Sequence, residues 1–180
     1  MTSFGSQEHR ALQSGSRAAS VSRQTDSREL LTFRLGAENY ALNILDIQEI
    51  RSFETPTRLV GTPVHVLGVI DLRGTVVPVI DLRVRFGMKE ANFNANTVVI
   101  VLSMGASTVG LVVDSVEDVV AVDAAQVKPA PGFAALASAN CIAGLAPHTS
   151  EQTERMLIVL DAAALVQSCG VQTETLALAA

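Results

Sequence analysis

The chain is poor in aromatic residues. It has no tryptophan and a single tyrosine, and aromatics make up 4% of its 180 residues, although hydrophobic residues make up 48%. The core must therefore be built from Val, Ile, Leu and Ala, and the abundance of valine favours β structure. A globular chain of this size can bury roughly 70% of the surface that its unfolded form exposes, so the fold does not require covalent cross-links.

Cysteine and long apolar runs are also scarce. The two cysteines, Cys141 and Cys169, lie far apart in the sequence. The N-terminus carries no apolar segment typical of a secretory signal, and no apolar run approaches the roughly 20 residues that a membrane-spanning helix needs. We therefore expect buried thiols in a reducing compartment rather than a disulfide, and a cytoplasmic protein.

Positive charge is neither abundant nor concentrated. There are 13 Lys and Arg against 18 Asp and Glu, which gives a net charge of −5. Binding to nucleic acid depends on clustered Lys and Arg that neutralise phosphates, whereas the tightest grouping here is Arg83, Arg85 and Lys89. Composition therefore argues against nucleic acid as a partner.

The sequence contains no complete catalytic or metal-binding motif. Residues 105–110 have the glycine spacing of a phosphate-binding loop, but Leu111 and Val112 stand where Lys and Ser or Thr are required. The histidines are isolated, and the acidic residues from Asp114 to Asp123 lack the spacing of a calcium loop. We interpret those acidic residues as a solvated rim, and we expect no enzymatic activity, no metal and no cofactor.

What the chain does contain is a series of about ten short apolar segments separated by turn signals, which indicates an all-β fold. The unbroken apolar runs at 97–102 and 108–113 indicate strands that are buried on both faces, as in a closed barrel. Ten strands divide naturally into two small barrels, although the pattern does not say which strand joins which barrel. Short helices are predicted at 81–87 and, after Asp161 as N-cap, at 162–167.

Composition also suggests where the ordered domain lies. Residues 1–28 are rich in Ser, Gln, Arg and Ala without a regular apolar period, so we predict a disordered N-terminal tail. The surplus of arginine in this tail could contact an acidic partner, although a solvated tail is the simpler interpretation. We expect one domain of two barrel subdomains over 29–168 and a C-terminal tail over 169–180.

The chain is organised around a predicted β-hairpin with strands at 66–72 and 75–82. A two-residue turn would require a positive φ at Arg73, which is unfavourable for a residue with a Cβ, so we expect a bulged or wider turn. Arg73 at the tip is suited to a directed partner contact, with a solvated arginine as the alternative. Gly68 permits another backbone or a partner side chain to approach closely, and a bulge or tight barrel corner explains it equally well.

Eight short segments, spread in order from about Leu30 to Val166, carry a family signature. They are Asn39-Tyr-Ala-Leu-Asn-Ile44, Ile47-Gln-Glu-Ile50, Val66-Leu-Gly-Val-Ile-Asp-Leu-Arg-Gly74, Val77-Pro-Val-Ile-Asp-Leu82, Asn96-Thr-Val-Val-Ile-Val101, Gly110-Leu-Val-Val-Asp114, Val127-Lys-Pro-Ala-Pro131 and Arg155-Met-Leu-Ile-Val159. In this order and spacing they resemble the CheW family, the bacterial chemotaxis coupling proteins.

The resemblance implies a fold of two packed, five-stranded SH3-like barrels with one or two short helices. It implies a non-enzymatic adaptor in which one barrel surface docks on the regulatory domain of the histidine kinase CheA. The helical hairpin tip of a methyl-accepting chemoreceptor would lie in the groove between the barrels. Such a protein is cytoplasmic and recruited to membrane receptor arrays, without inserting into the membrane itself.

Two other functions remain open at this stage. A CheW-like regulatory scaffold could serve a two-component system outside chemotaxis. A small-ligand-binding barrel would require a deep, mostly apolar cavity with convergent polar groups.

Matching the family's motifs residue by residue gives a set of partner-binding candidates: Ile47, Glu49, Gly68, Val69, Arg73 and Val98. We hypothesise that the side chains of Glu49 and Arg73 are close in space. The family usually has Asn where this chain has Asp71. We expect that the added carboxylate could hold the Arg73 guanidinium and weaken its reach to a partner.

Overall fold

The computed structural model describes residues 26–88, 92–131, 139–150 and 153–170. Its strands are β1 (Ser27–Leu35), β2 (Glu38–Asn43), β3 (Ile47–Ser52), β4 (Val66–Leu72), β5 (Thr75–Asp81), β6 (Val98–Met104), β7 (Ser107–Val113), β8 (Ser115–Asp123), β9 (Ile142–Ser150) and β10 (Thr153–Leu160). Its helices are α1 (Leu82–Arg85) and α2 (Ala162–Ser168), with 3₁₀ turns at Ile44–Asp46, Ala124–Gln126 and Ala139–Cys141. The predicted all-β class with two short helices is confirmed.

The strands form two five-stranded sheets. The first barrel has the order β8-β1-β2-β10-β9, and the second barrel has the order β3-β6-β7-β5-β4. Each contains one parallel pair, β2 with β10 and β5 with β7, and its other pairs are antiparallel. The predicted pair of small barrels is confirmed.

The two halves of the chain are interleaved. The first half places the hairpin β1–β2 in the first barrel and β3, β4 and β5 in the second. The second half does the reverse, since β6–β7 joins the second barrel and β8, β9 and β10 join the first. Each half ends in a short helix that is N-capped by an aspartate, Asp81 or Asp161. Neither barrel is therefore a contiguous piece of chain.

Each barrel closes through one isolated β-bridge. In the second barrel the segment after β3 bridges to β4 between Thr57 and Val69, with amide-to-carbonyl distances of 2.9 Å in both directions. A Cβ on the preceding Gly68 would overlap the carbonyl oxygen of Thr57, so only glycine permits this approach. The first barrel closes in the same way through a bridge between Lys128 and Leu145.

The position of β6 between two hydrophobic clusters explains its unbroken run of apolar residues. Val99 and Val101 face the interior of the second barrel, whereas Ile100 and Leu102 belong to a larger core to which both barrels contribute. We call this larger cluster the shared core. The prediction that this strand is buried on both faces is confirmed, because the outer face of one barrel wall is covered by the other barrel.

The ends of the domain are only partly described. Strand β1 begins at Ser27, two residues before the predicted start at Glu29. The predicted tails at 1–28 and 169–180 fall mostly at 1–25 and 171–180, outside the described residues, and stay predictions. Within the part of the chain that the structure does describe, no helix has the length and apolarity needed to cross a membrane.

Candidate functional site

The hairpin tip is a two-residue turn. Leu72 pairs with Thr75, and φ is +51° at Arg73 and +86° at Gly74. The expectation of a bulged or wider turn at the tip is therefore wrong. Positive φ at both central residues matches the right-handed twist of the two strands, and the Gly74 amide donates to Asp71 Oδ1 at 2.6 Å. These two effects offset the steric cost at Arg73.

Asp71 stabilises the turn and does not hold the guanidinium. Its Oδ1 accepts from the backbone of Gly74, and none of the ion pairs among the described residues joins it to Arg73. The expectation that Asp71 would restrain Arg73 is therefore wrong. An asparagine, which the family usually has here, offers the same Oδ1 acceptor.

A pair of substitutions tests this role of Asp71. Asp71→Asn should leave the free energy of unfolding unchanged, because the acceptor for Gly74 remains. Asp71→Ala should lower it by about 1 kcal/mol, the usual contribution of one hydrogen bond. Urea denaturation of both variants measures the difference. Equal stability of the two variants would show that this hydrogen bond does not hold the turn.

Arg73 contacts Glu49 across the opening of the second barrel. The distance from Arg73 Nη2 to Glu49 Oε2 is 2.7 Å, so the hypothesis that these two side chains are close is confirmed. Arg51 Nε lies 3.8 Å from the other carboxylate oxygen, Oε1. The Arg73 side chain is nevertheless 76% exposed, which leaves most of its five N–H donors available to a partner.

The ion pair spans a seam, by which we mean the gap between β3 and β4, the two edge strands of the second barrel. The Thr57–Val69 bridge closes one end of the seam, and the Arg73–Glu49 contact closes the other. Between them lies a cleft of about 270 Å³ with a mixed polar and apolar lining. It is not the deep apolar cavity that a small-ligand-binding barrel would require.

Two of the predicted residues lie at the bridged end of the seam. Gly68 is buried at a register irregularity in the β4–β5 ladder, and its close neighbour is the chain's own backbone at Thr57. Val69 is the bridged residue and is half-buried. The space above Gly68 is therefore filled by the chain's own backbone, which closes the barrel. Gly68 would affect a partner through the shape that it gives to the seam.

The remaining two candidates lie at opposite ends of the β3–β6 ladder. Ile47 pairs with Leu102, and Val98 pairs with Ser52. Both candidates are half-buried and pack against the shared core, so each shows only part of its surface to a partner.

Two exposed apolar side chains near the hairpin were missed by the sequence analysis. Ile50, next to Glu49 on β3, is 44% exposed, and Val76, opposite Asp71 on β5, is 65% exposed. Both residues lie in segments that the sequence analysis had singled out, Ile47–Ile50 and the hairpin. The alternation of residues does not show, however, which face of a barrel wall points to solvent.

A buried arginine was also missed. Arg83 is 1% exposed and forms a bidentate pair with Asp81, with Nε to Oδ1 at 3.0 Å and Nη2 to Oδ2 at 2.7 Å. Its Nη1 donates to Asp114 Oδ1 at 2.8 Å and to the carbonyl of Asn92 at 2.6 Å. Its guanidinium carbon lies 4.7 Å from the ring centre of Phe93. From the sequence Arg83 had been counted only in a loose basic grouping.

This network connects the two barrels. Asp114 Oδ2 accepts from the amide of Gly36, in the β1–β2 turn of the first barrel, at 2.6 Å. Asp114 was predicted to belong to a solvated rim, and that prediction is wrong. Burial by itself would lower the pKa of Arg83, but its hydrogen bonds to the two carboxylates and their charges outweigh burial and raise it.

The described residues offer little to nucleophilic or metal chemistry. Cys141 and Cys169 are buried thiols, and burial raises the pKa of both, so the reactive thiolate is scarce at neutral pH. Within the described ranges, no group of three or more His, Cys, Asp or Glu side chains could hold a metal ion.

Known proteins resemble this chain over most of its length. The model of the CheW-like domain matches residues 29–169. The chemotaxis protein CheW of Klebsiella aerogenes is 44% identical over 145 residues, which cover 81% of this chain and 85% of that protein. The chemotaxis protein CheW of Bacillus subtilis is 33% identical over 103 residues, 57% of this chain and 66% of that protein.

A solved structure shows the same fold. The crystal structure of the scaffolding protein TtCheW from Thermoanaerobacter tengcongensis matches with a TM-score of 0.66 and 28% identity, covering 74% of this chain and 88% of that one. The paired barrels, the matched segments and these relatives all agree. The chain therefore belongs to the CheW-like domain family, the family of the chemotaxis scaffolding protein CheW.

Proposed function

We propose that this protein is a non-enzymatic adaptor that couples chemoreceptors to the histidine kinase CheA in cytoplasmic arrays at the membrane. The observation that carries the proposal is the Arg73–Glu49 contact at 2.7 Å on the accessible tip of a hairpin. Both residues lie in segments that match the family. The kinase's regulatory domain would dock on a barrel surface, and the receptor tip would lie in the groove between the barrels.

The restraints on Arg73 support a binding role. Its turn is held by Asp71, and Glu49 directs its guanidinium from across the seam. A side chain that is already ordered loses less conformational entropy when a partner binds. An ion pair with one highly exposed member contributes only about 0–1 kcal/mol to folding. Directed binding therefore accounts for the arrangement better than stability does.

Apolar surface beside Arg73 adds a second kind of contact. Val76 is exposed opposite Asp71 in the Arg73 hairpin, Ile50 is exposed on β3, and the seam cleft is lined by Asp71 and Arg51. This patch is small, so we expect a weak individual contact. Strength in an array would come from many such contacts made at once.

Substitution of Arg73 tests the proposal. Arg73→Ala should abolish most of the receptor-dependent stimulation of CheA phosphotransfer, because the directed guanidinium is lost. The same change should lower the free energy of unfolding by at most about 1 kcal/mol. Phosphotransfer is measured with receptor-bearing membranes, kinase and saturating adaptor. Arg73→Lys should recover only part of the activity, because an ammonium does not reproduce the planar set of donors.

The matched control is Arg34→Ala. Arg34 is also exposed and ion-paired, with Nε 3.7 Å from Glu117 Oε1, but it lies on the first barrel. This variant should couple normally. Absence of stimulation by the unmodified protein would reject the coupling role, and a large loss of stability in Arg73→Ala would show that Arg73 is structural.

A further inference from the structure

A second cleft, of about 470 Å³, opens on the first barrel. Its apolar wall includes Leu30, Val122 and Val159 of the first barrel and Met104 of the second. Two carboxylates, Asp46 and Asp161, lie among its lining residues. We call it the aspartate-rimmed cleft.

The two carboxylates repel each other. Partial burial raises the pKa of Asp46, and the negative charge of Asp161 raises it further. Asp161 Oδ1 also accepts from the Ala164 amide at 2.9 Å as the N-cap of α2. Arg28 lines the same cleft, but none of the ion pairs among the described residues joins a cation to either carboxylate. A cation placed between them would therefore be stabilised.

The N-terminal segment reaches the domain at the wall of this cleft. The carbonyl of Asp26 accepts from the amide of Ala124 at 2.9 Å, and Ala124 lines the cleft. Residues 1–25, outside the described part, contain three arginines and one glutamate. Arg23 stands three residues before Asp26, a distance of at most about 10 Å along an extended chain. Val21 stands two residues before Arg23, so both side chains share one face of an extended segment.

We propose that the aspartate-rimmed cleft is the docking site of the chain's own N-terminal segment. Arg23 places its guanidinium between Asp46 and Asp161, and Val21 packs on the apolar wall. Two features select this occupant: its charge is complementary to that of the two carboxylates, and Asp26, the described residue next to it, is hydrogen-bonded to a residue that lines the cleft. A planar guanidinium can donate to two carboxylates at once. The proposal does not depend on the coupling function.

A spin label tests this docking in the full chain. Ser22→Cys accepts a nitroxide selectively, because the native Cys141 and Cys169 are 0% and 1% exposed. We expect the label to broaden the amide NMR signals of the cleft residues Val127, Ala143 and Ala163 at low salt. Broadening should decrease at about 1 M salt, where the Debye length is roughly 3 Å.

Variants that remove a charge, made in the spin-labelled protein, distinguish a loss of electrostatic attraction from a loss of folding. Asp46→Asn with Asp161→Asn should weaken the broadening to the level seen at about 1 M salt while α2 stays intact, because asparagine caps a helix as well as aspartate does. Arg23→Gln should weaken it to the same level, whereas Arg10→Gln, the same change further from Asp26 in the sequence, should not.

Two results would overturn the proposal. One is broadening that is absent, or unchanged when the two aspartates are neutralised. The other is broadening that is equally strong when the labelled and the isotope-enriched molecules are different copies in a mixture, which would mean that a second copy fills the cleft.

Discussion

Arg83→Met should lower the free energy of unfolding by about 3–5 kcal/mol, the usual result of breaking a buried ion pair by removing one partner. The guanidinium satisfies Asp81, which is fully buried, and also one oxygen of Asp114. Without it, the Asp81 carboxylate stays in the interior with its charge uncompensated. For a chain of this size the midpoint of thermal unfolding should fall on the order of 10 °C. Calorimetry and urea denaturation measure both quantities.

Two further variants make the Arg83 result specific. Arg34→Met, the same change at an exposed ion pair, should cost no more than about 1 kcal/mol. Arg83→Met combined with Asp81→Asn should recover part of the loss, because the unpaired charge is removed while the acceptor that caps α1 remains. If Arg83→Met is no more harmful than Arg34→Met, the buried network does not hold the fold.

The same network predicts which part of the Arg83→Met variant should open locally. Asp114 receives hydrogen bonds from Arg83 of the second barrel and from the Gly36 amide of the first. Relative to the unmodified protein, Arg83→Met should therefore accelerate the exchange of the Gly36 amide with solvent more than that of amides in the middle of β6.

Gly68→Ala should lower the free energy of unfolding by about 3 kcal/mol. Its φ of +145° is a conformation that residues with a Cβ rarely adopt, which costs on the order of 1–3 kcal/mol. The new Cβ would also overlap Thr57 and force the bridge to Val69 apart, and overpacking of this kind costs about 1–3 kcal/mol. Urea denaturation measures the loss, and faster amide exchange at Val69 would locate it at the seam.

Gly61→Ala is the matched control for Gly68→Ala. Gly61 also has a positive φ, +83°, but a Cβ there would meet no atom within 4 Å. It should therefore show the conformational cost alone, about 1–2 kcal/mol. Equal losses at the two positions would mean that the contact with Thr57 relaxes without cost and that Gly68 is not needed to close the barrel.

For the hairpin, the strands could be predicted from the sequence but the turn type could not. Both strands around Arg73 were predicted from two β-branched, apolar runs that are separated by two residues, and they lie at 66–72 and 75–81. The turn type was not predicted, because single-residue preference argues against positive φ at Arg73. The twist of the paired strands and the Asp71 side chain override that preference, and both act only once the hairpin has formed.

The partners of the charged residues could not be predicted from spacing. Glu49 and Arg73 are 24 residues apart and meet only because β3 and β4 are the two edges of one barrel. The resemblance to CheW proteins suggested that pair, but it pointed to no role for Arg83. Arg83 and Asp114 are 31 residues apart, and nothing in their surroundings in the sequence marks either as buried.

From the sequence alone we could predict the strands, the two short helices, the Asp161 cap of α2 and the burial of β6 on both faces. These features depend on the apolar pattern and the capping chemistry of residues that are neighbours in the sequence. Tertiary contacts decide which barrel each strand joins, what closes each barrel and which carboxylate each arginine meets. An unbroken apolar run indicates that both faces of a strand are covered, but the covering element comes from a distant part of the chain, and the interleaving of the two halves decides which element that is.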